Sequence, residues 1–135
     1  MKTIYISNDG KFFDTIYDCQ DYENSIKISK AISDGELKLI TNDFKVLTTR
    51  DFLDYTECAR QLGSVYFFCC TNKDVLQILD TYYDTAGWFD TNTYYFYDEM
   101  FEAWRRLDDE IISLKKTILK LTNIKNLLSL PPLNE

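Results

Sequence analysis

The chain has 135 residues, 45% of them hydrophobic, which is enough for one compact domain with its own core. Its formal charge of −7 at pH 7 argues against nucleic acid or an anionic membrane as a direct ligand. The charge is uneven, because residues 1–110 contain 21 acidic and 11 basic residues, whereas residues 111–135 contain four lysines and one acid. A positively charged partner is therefore expected on the body of the protein rather than at its C-terminal end.

The N-terminal residues and the cysteines indicate where the protein resides. The first residues, MKTIYISNDGKFF, become polar at Ser7 before the apolar core of a signal peptide is complete. No stretch approaches the about 18 consecutive apolar residues that span a membrane. We therefore expect a cytoplasmic protein, in which thiols stay reduced. The cysteines are then explained as small core residues, and they are Cys19, Cys58, Cys69 and Cys70.

The N-terminal half alternates short apolar runs with turn and capping signals. Asn8-Asp9-Gly10 is a tight-turn signal, and Thr15 with Asp18 three residues later has the spacing of a capping box. Gly35 and Gly63 mark the ends of two helical patterns. The expected elements are strands at residues 3–7 and 11–13, a helix from residue 14 or 15 to about 32, strands at 37–41 and 44–47, and a helix at 50–61.

The C-terminal half contains the longest apolar run and the longest helical pattern. Residues 65–70, VYFFCC, predict a buried central strand, and Asn72 can cap a helix from residue 73 to about 83. A strand at 93–97 follows, and Asp98 is expected to cap a long helix over residues 98–130. The order β-β-α-β-β-α-β-α-β-α predicts one α+β domain over residues 1–135. It would have a small mixed sheet with hairpins, packed helices and a long C-terminal helix.

The predicted C-terminal helix carries an apolar heptad pattern, which Pro131-Pro132 is expected to close. Isoleucine at a with leucine at d favours parallel two-stranded pairing, in which Glu110 would meet Lys115 of a second chain. Further leucines and isoleucines widen the stripe beyond a narrow seam. Two interpretations stay open: a terminal helix packed on its own sheet, and a helix that forms a homodimer. The candidate dimerisation residues are Trp104, Leu107, Ile111, Leu114, Ile118, Leu121 and Leu128.

The composition removes most catalytic chemistry. The chain has no histidine, which excludes serine–histidine and cysteine–histidine nucleophiles and the commonest metal ligand. Its four glycines are too far apart for a phosphate-binding loop, and its cysteines lack the spacing of a zinc site. We therefore predict no catalytic residue, no metal and no cofactor, and expect a protein that is not an enzyme.

Residues 82–104 form the most unusual segment of the chain. They contain ten of its 21 aromatic residues and five acidic residues, but no lysine or arginine. Aromatic side chains dominate interfaces, and unpaired carboxylates are costly to bury, so this composition favours a binding surface for a basic partner. Trp88 and Phe89 are the expected anchors, whereas part of the Tyr-rich strand has a core role as its alternative. The candidate partner-binding residues are Asp80, Asp84, Trp88, Phe89, Asp90, Tyr94, Tyr95, Asp98, Glu99 and Glu102.

The N-terminal pattern YISNDGKFFDT at residues 5–15, followed by Cys19 and Tyr22-Glu23, resembles the start of small phage and prophage proteins. Small acidic proteins of this kind include anti-CRISPR and other anti-defence inhibitors, some of which mimic the charge of DNA. The resemblance covers residues 5–23 and implies a hairpin that leads into a capped helix. It also implies an inhibitor in the bacterial host cell that binds a basic, nucleic-acid-handling defence protein such as a CRISPR effector. The alternative function is a structural or regulatory homodimer assembled through the C-terminal helix.

Overall fold

A computed structural model describes residues 3–128, which form an α+β fold with two antiparallel sheets. Within these residues, two 3₁₀ turns at Thr49–Phe52 and Tyr55–Glu57 precede the second helix. The strands and α-helices are β1 Tyr5–Ile6, β2 Phe12–Phe13, α1 Ile16–Ser33, β3 Leu37–Thr41, α2 Cys58–Gly63, β4 Val65–Cys70, α3 Lys73–Tyr83, β5 Tyr94–Asp98, β6 Ala103–Arg106 and α4 Leu107–Leu128.

The predicted α+β class is confirmed, but the predicted mixed sheet is wrong. Strands β1 and β2 form a hairpin, and the larger sheet has the order β3-β4-β5-β6 with every neighbouring pair antiparallel. The connections β3–β4 and β4–β5 contain helices, yet each returns the chain to the end of the sheet where the previous strand finished. No parallel crossover is therefore needed.

Two helices follow their capping signals. The Thr15 hydroxyl accepts a hydrogen bond from the Asp18 N–H, 3.1 Å away, at the start of α1. The Asn72 side chain accepts bonds from the N–H groups of Asp74 and Val75 at the start of α3. The structure confirms both predicted helices. Each begins where it does because a side-chain oxygen accepts hydrogen bonds from N–H groups that the first turn leaves unpaired.

Two predictions in the middle of the chain are wrong. Residues 44–47 do not form a strand ladder, because Phe44 has a left-handed backbone (φ 65°) and only Val46 bridges to Ile40. The helix expected at 50–61 is broken into two 3₁₀ turns and the short α2. Asp54 accepts a hydrogen bond from the Thr56 N–H, and this local bond competes with continuous helix.

The C-terminal helix starts at Leu107 rather than at Asp98. The Asp98 carboxylate accepts hydrogen bonds from the N–H groups of Met100 and Phe101 and so closes a turn, after which β6 pairs with β5. Trp104 therefore lies in a strand and is not a member of the helical apolar stripe. The predicted end of the helix at residue 130, and Pro131-Pro132, lie outside the described residues.

The core lies on the face of the larger sheet that α1 and α3 cover. Phe68 on β4 occupies its centre, with ring centroids 4.8 Å from Phe89, 5.2 Å from Tyr95 and 5.1 Å from Trp104. Three of the four free cysteines are buried, as expected for small core residues. Burial raises the pKa of the Cys70 thiol to about 11, so it stays protonated at neutral pH.

Helix α4 does not share this core. None of its residues is buried, and all of its residues from Ile111 to Leu128 are exposed. The interpretation of a terminal helix packed on its own sheet is therefore wrong, because the only partly buried residues of the described helix are Leu107 and Glu110 in its first turn. Within residues 3–128, no helix has the length and apolar character needed to cross a membrane.

We expect Phe68→Ala to lower the free energy of unfolding by about 3–5 kcal/mol, because it leaves a cavity among the four rings that pack on Phe68. Phe12→Ala removes the same atoms from an exposed ring and should cost less than about 0.5 kcal/mol. Urea unfolding of both variants measures the difference. Equal midpoints for the two variants would contradict the central position of Phe68.

We expect Asp98→Asn to make stability less dependent on pH. The hydrogen bond from Arg105 lowers the pKa of Asp98, and the turn N–H groups act in the same direction. The stabilisation is therefore complete above the unfolded pKa of about 3.9 and is lost as pH falls through the folded pKa. The variant should melt below the wild type at pH 7, and the gap should close in acid. Asp34→Asn is the matched control, and a gap that persisted at pH 2 would refute the assignment.

Candidate functional site

A cleft of about 600 Å³ opens between the end of α3, the loop that follows it, and the β5–β6 hairpin. Among the described residues, its lining contains two carboxylates, Asp84 and Glu102, and no lysine or arginine. Its aromatic lining residues are Tyr66, Tyr82, Tyr83, Trp88, Tyr97 and Trp104. We call this feature the acidic aromatic cleft.

The two residues that supply the carboxylates of the cleft have a left-handed backbone conformation. Asp84 ends α3 with φ 54°, and Glu102 ends the β5–β6 turn with φ 51°. Residues other than glycine adopt this left-handed region at a cost of about 1–2 kcal/mol, and aspartate tolerates it better than glutamate. Such residues concentrate at binding and active sites, where the surrounding structure holds them in place.

The loop that carries Trp88 is tied down at both ends. The Asp80 carboxylate accepts hydrogen bonds from the Thr85 hydroxyl (2.5 Å) and the Phe89 N–H (3.2 Å). The Phe89 ring is only 4% exposed, whereas the neighbouring Trp88 is 41% exposed at the cleft. The expectation of Phe89 as a surface anchor is therefore wrong, because its ring fills the core. The Asp80 carboxylate holds the loop in place and does not contribute to an acidic binding surface.

The tyrosines of the cleft are fixed by their hydroxyl groups. Tyr82 donates to the carbonyl of Ala59 (2.7 Å), and Tyr83 donates to the carbonyl of Leu62 (2.5 Å). Burial raises the pKa of both phenols, so they remain neutral at physiological pH. The cleft therefore offers ring surfaces that are held in position, and its charge comes from the carboxylates of Asp84 and Glu102.

Tyr66 and Glu99 extend the acidic surface beside the cleft. The Tyr66 hydroxyl donates a hydrogen bond to the exposed carboxylate of Glu99, and this bond raises the pKa of the phenol. Tyr66 also meets the Tyr97 ring edge-on, with centroids 5.8 Å apart. Glu99 thus stands next to the cleft wall, on the same hairpin turn as Glu102.

Two of the predicted acids are neutralised within the chain. The Arg106 guanidinium pairs with the Asp90 carboxylate at 2.9 Å, and Arg105 pairs with Asp98 at the same distance. Arg106 also lies over the Trp88 ring, 5.4 Å from its centroid. The carboxylates of Asp90 and Asp98 are thus less available to a partner than the sequence suggests. The Trp88 ring already makes a cation–π contact within its own chain.

The Tyr-rich strand divides its side chains between the two faces of the sheet. Tyr95 is fully buried, and its hydroxyl accepts a hydrogen bond from the Asp90 N–H at 2.6 Å. Its predicted role at the surface is therefore wrong, because alternation along β5 turns the ring into the core. Tyr94 is exposed on the opposite face. Of the predicted partner-binding set, the structure brings Asp84, Trp88 and Glu102 together in the cleft.

Several residues of this region were not predicted from the sequence. Tyr66, Tyr97 and Trp104 wall the cleft because β4, β5 and β6 are neighbours in the sheet. Met100 and Phe101 lie exposed at the tip of the hairpin, beside the acids of the turn. The sequence signal for this hairpin is the four-residue turn after Asp98. The same residues are also compatible with the start of a helix, so the signal is ambiguous.

Comparison of the chain with protein-family models, with curated proteins and with solved structures found no match.

Proposed function

We propose that the chain is a non-enzymatic binding protein that takes an arginine or lysine side chain of a basic partner into the acidic aromatic cleft. The observation that carries this proposal is the lining of the cleft, which among the described residues has six aromatic residues, two carboxylates and no lysine or arginine. Arg106, from outside the lining, already covers one of these rings, that of Trp88. Ring faces attract a cation by about 0.5–2 kcal/mol, and a carboxylate pairs with it directly. Both kinds of group converge in this cleft.

The charge of the chain supports a partner that normally handles nucleic acid. The formal charge is −7, and the surplus of acids lies in the body that carries the cleft. Carboxylates such as Asp84, Glu99 and Glu102 would occupy the sites where the partner binds phosphates. The N-terminal resemblance to phage proteins adds the context of an inhibitor of host defence, for which a CRISPR effector is the proposed partner. Charge of this kind accelerates association more than it sets the final affinity.

Both tryptophans of the chain line the cleft, so their fluorescence reports on its occupancy. We expect quenching when the protein is titrated with a short peptide that contains arginine. The same peptide with citrulline, which keeps the shape but lacks the charge, should have little effect. Equal responses to the two peptides would show that the cleft does not select a cation.

We expect Asp84→Asn combined with Glu102→Gln to weaken binding of the arginine peptide by roughly tenfold, because each lost charged contact is worth about 0.5–1 kcal/mol at a surface. The matched control is Asp34→Asn combined with Asp74→Asn, which makes the same change in net charge away from the cleft. The control should bind like the wild type. Equal weakening in both variants would show that binding depends on the net charge of the protein and not on the carboxylates of the cleft.

The choice of partner is tested with a purified CRISPR effector and immobilised wild-type protein. We expect binding that weakens as salt rises, mainly through a slower association rate, and that DNA displaces. The Asp84→Asn, Glu102→Gln variant should bind more weakly than the control variant. Binding that is indifferent to DNA and to these substitutions would refute the proposed mode of inhibition.

A further inference from the structure

Helix α4 exposes apolar side chains that the other described residues, 3–106, leave uncovered. Nine isoleucines and leucines between residues 111 and 128 are exposed, with exposed fractions from 40% to 83%. Monomeric proteins seldom expose apolar surface on this scale, and helices in proteins gain most of their stability from packing an apolar face. Five of the nine share one side of the helix at heptad spacing and form the apolar stripe, and they are Ile111, Leu114, Ile118, Leu121 and Leu128.

The charges of α4 are separated along its length. Asp108, Asp109 and Glu110 occupy its first turn, whereas four lysines lie between residues 115 and 125. An antiparallel second copy would place the acidic end of each helix beside the lysines of the other. A parallel copy would place like charges together at both ends. The complementarity of charge therefore selects a second copy in antiparallel orientation.

The intrachain contacts of α4 also disfavour the parallel arrangement that the heptad pattern alone suggests. Glu110, which would meet Lys115 of a parallel partner, is already paired with Arg105 at 2.5 Å. The body of each chain carries the surplus of acids and joins α4 at its N-terminal end, so parallel helices would bring two negatively charged bodies together at one end. Antiparallel helices place the bodies at opposite ends of a helix about 33 Å long.

A second apolar feature lies where α4 begins. A groove of about 230 Å³ runs along the outer face of the sheet, lined by Ile40, Phe44, Phe67, Tyr94 and Leu107 among others. In an antiparallel pair, the C-terminal end of the partner helix would arrive at this groove. One interface would then cover the stripe, the groove and the exposed ring of Phe44.

We propose that α4 is the interface of a homodimer in which two copies of the helix pack antiparallel, each with its C-terminal end at the apolar groove of the other copy. This inference does not rest on the function proposed for the acidic aromatic cleft, which lies on a different surface. The pairing centres near residue 116, with Leu114 packed against Ile118 of the partner subunit.

Sedimentation of the intact chain tests the dimer. We expect a species of twice the 16.0 kDa chain mass. Ile118→Glu should yield a folded monomer, because this side chain is exposed within one chain and is not needed for its fold. Asn123→Glu adds the same charge on the opposite side of α4 and should leave the dimer intact. A monomeric wild type at about 100 μM, or equal effects of the two substitutions, would overturn the proposal.

Disulfide cross-linking tests the orientation. In the antiparallel register, Ile111 lies opposite Leu121 of the partner subunit. We expect Ile111→Cys and Leu121→Cys chains to form a covalent dimer after mixing and oxidation, and neither variant to do so alone. The oxidised wild type supplies the background from the native cysteines. Efficient cross-linking of each variant with itself would show parallel helices and overturn the proposed orientation.

Discussion

The packing of aromatic rings around Phe68 is the interaction on which most of this structure depends. Phe68 contacts Phe89 from the loop after α3, Tyr95 from β5 and Trp104 from β6. Phe68 lies 21 to 36 residues before these three in the sequence, so their contacts hold the loop, the hairpin and the central strand in one arrangement. Ring pairs at these distances are worth about 0.5–1.5 kcal/mol beyond the burial of their surface.

The same cluster shapes the acidic aromatic cleft, because core and cleft share their walls. Trp104 packs on Phe68 on one side and meets Tyr83 and Tyr97 at the cleft on the other. Packing against the core therefore fixes the positions of the rings that a partner would contact. Preorganisation of this kind lowers the entropic cost of binding.

The chain separates its two candidate interaction surfaces by chemistry and by position. The cleft lies on the body, where the acids are concentrated, and the apolar stripe lies on α4, which carries the lysines. Two surfaces of such different character suit different partners. A dimer through α4 would leave a cleft on each copy and so offer a basic partner two sites.

The sequence by itself determined the α+β class, helices α1 and α3, and the central strand β4, since these depend on local capping and on unbroken apolar runs. It also marked residues 82–104 as the unusual segment. Tertiary structure decided which of those rings are core, because the register of β5 turns Tyr95 inward and Tyr94 outward. It also decided that Asp98 starts a hairpin instead of a helix, since β5 offers β6 a pairing edge that no local signal reveals. The exposure of α4 has the same cause, because a helix that begins at Leu107 has only its first turn partly covered.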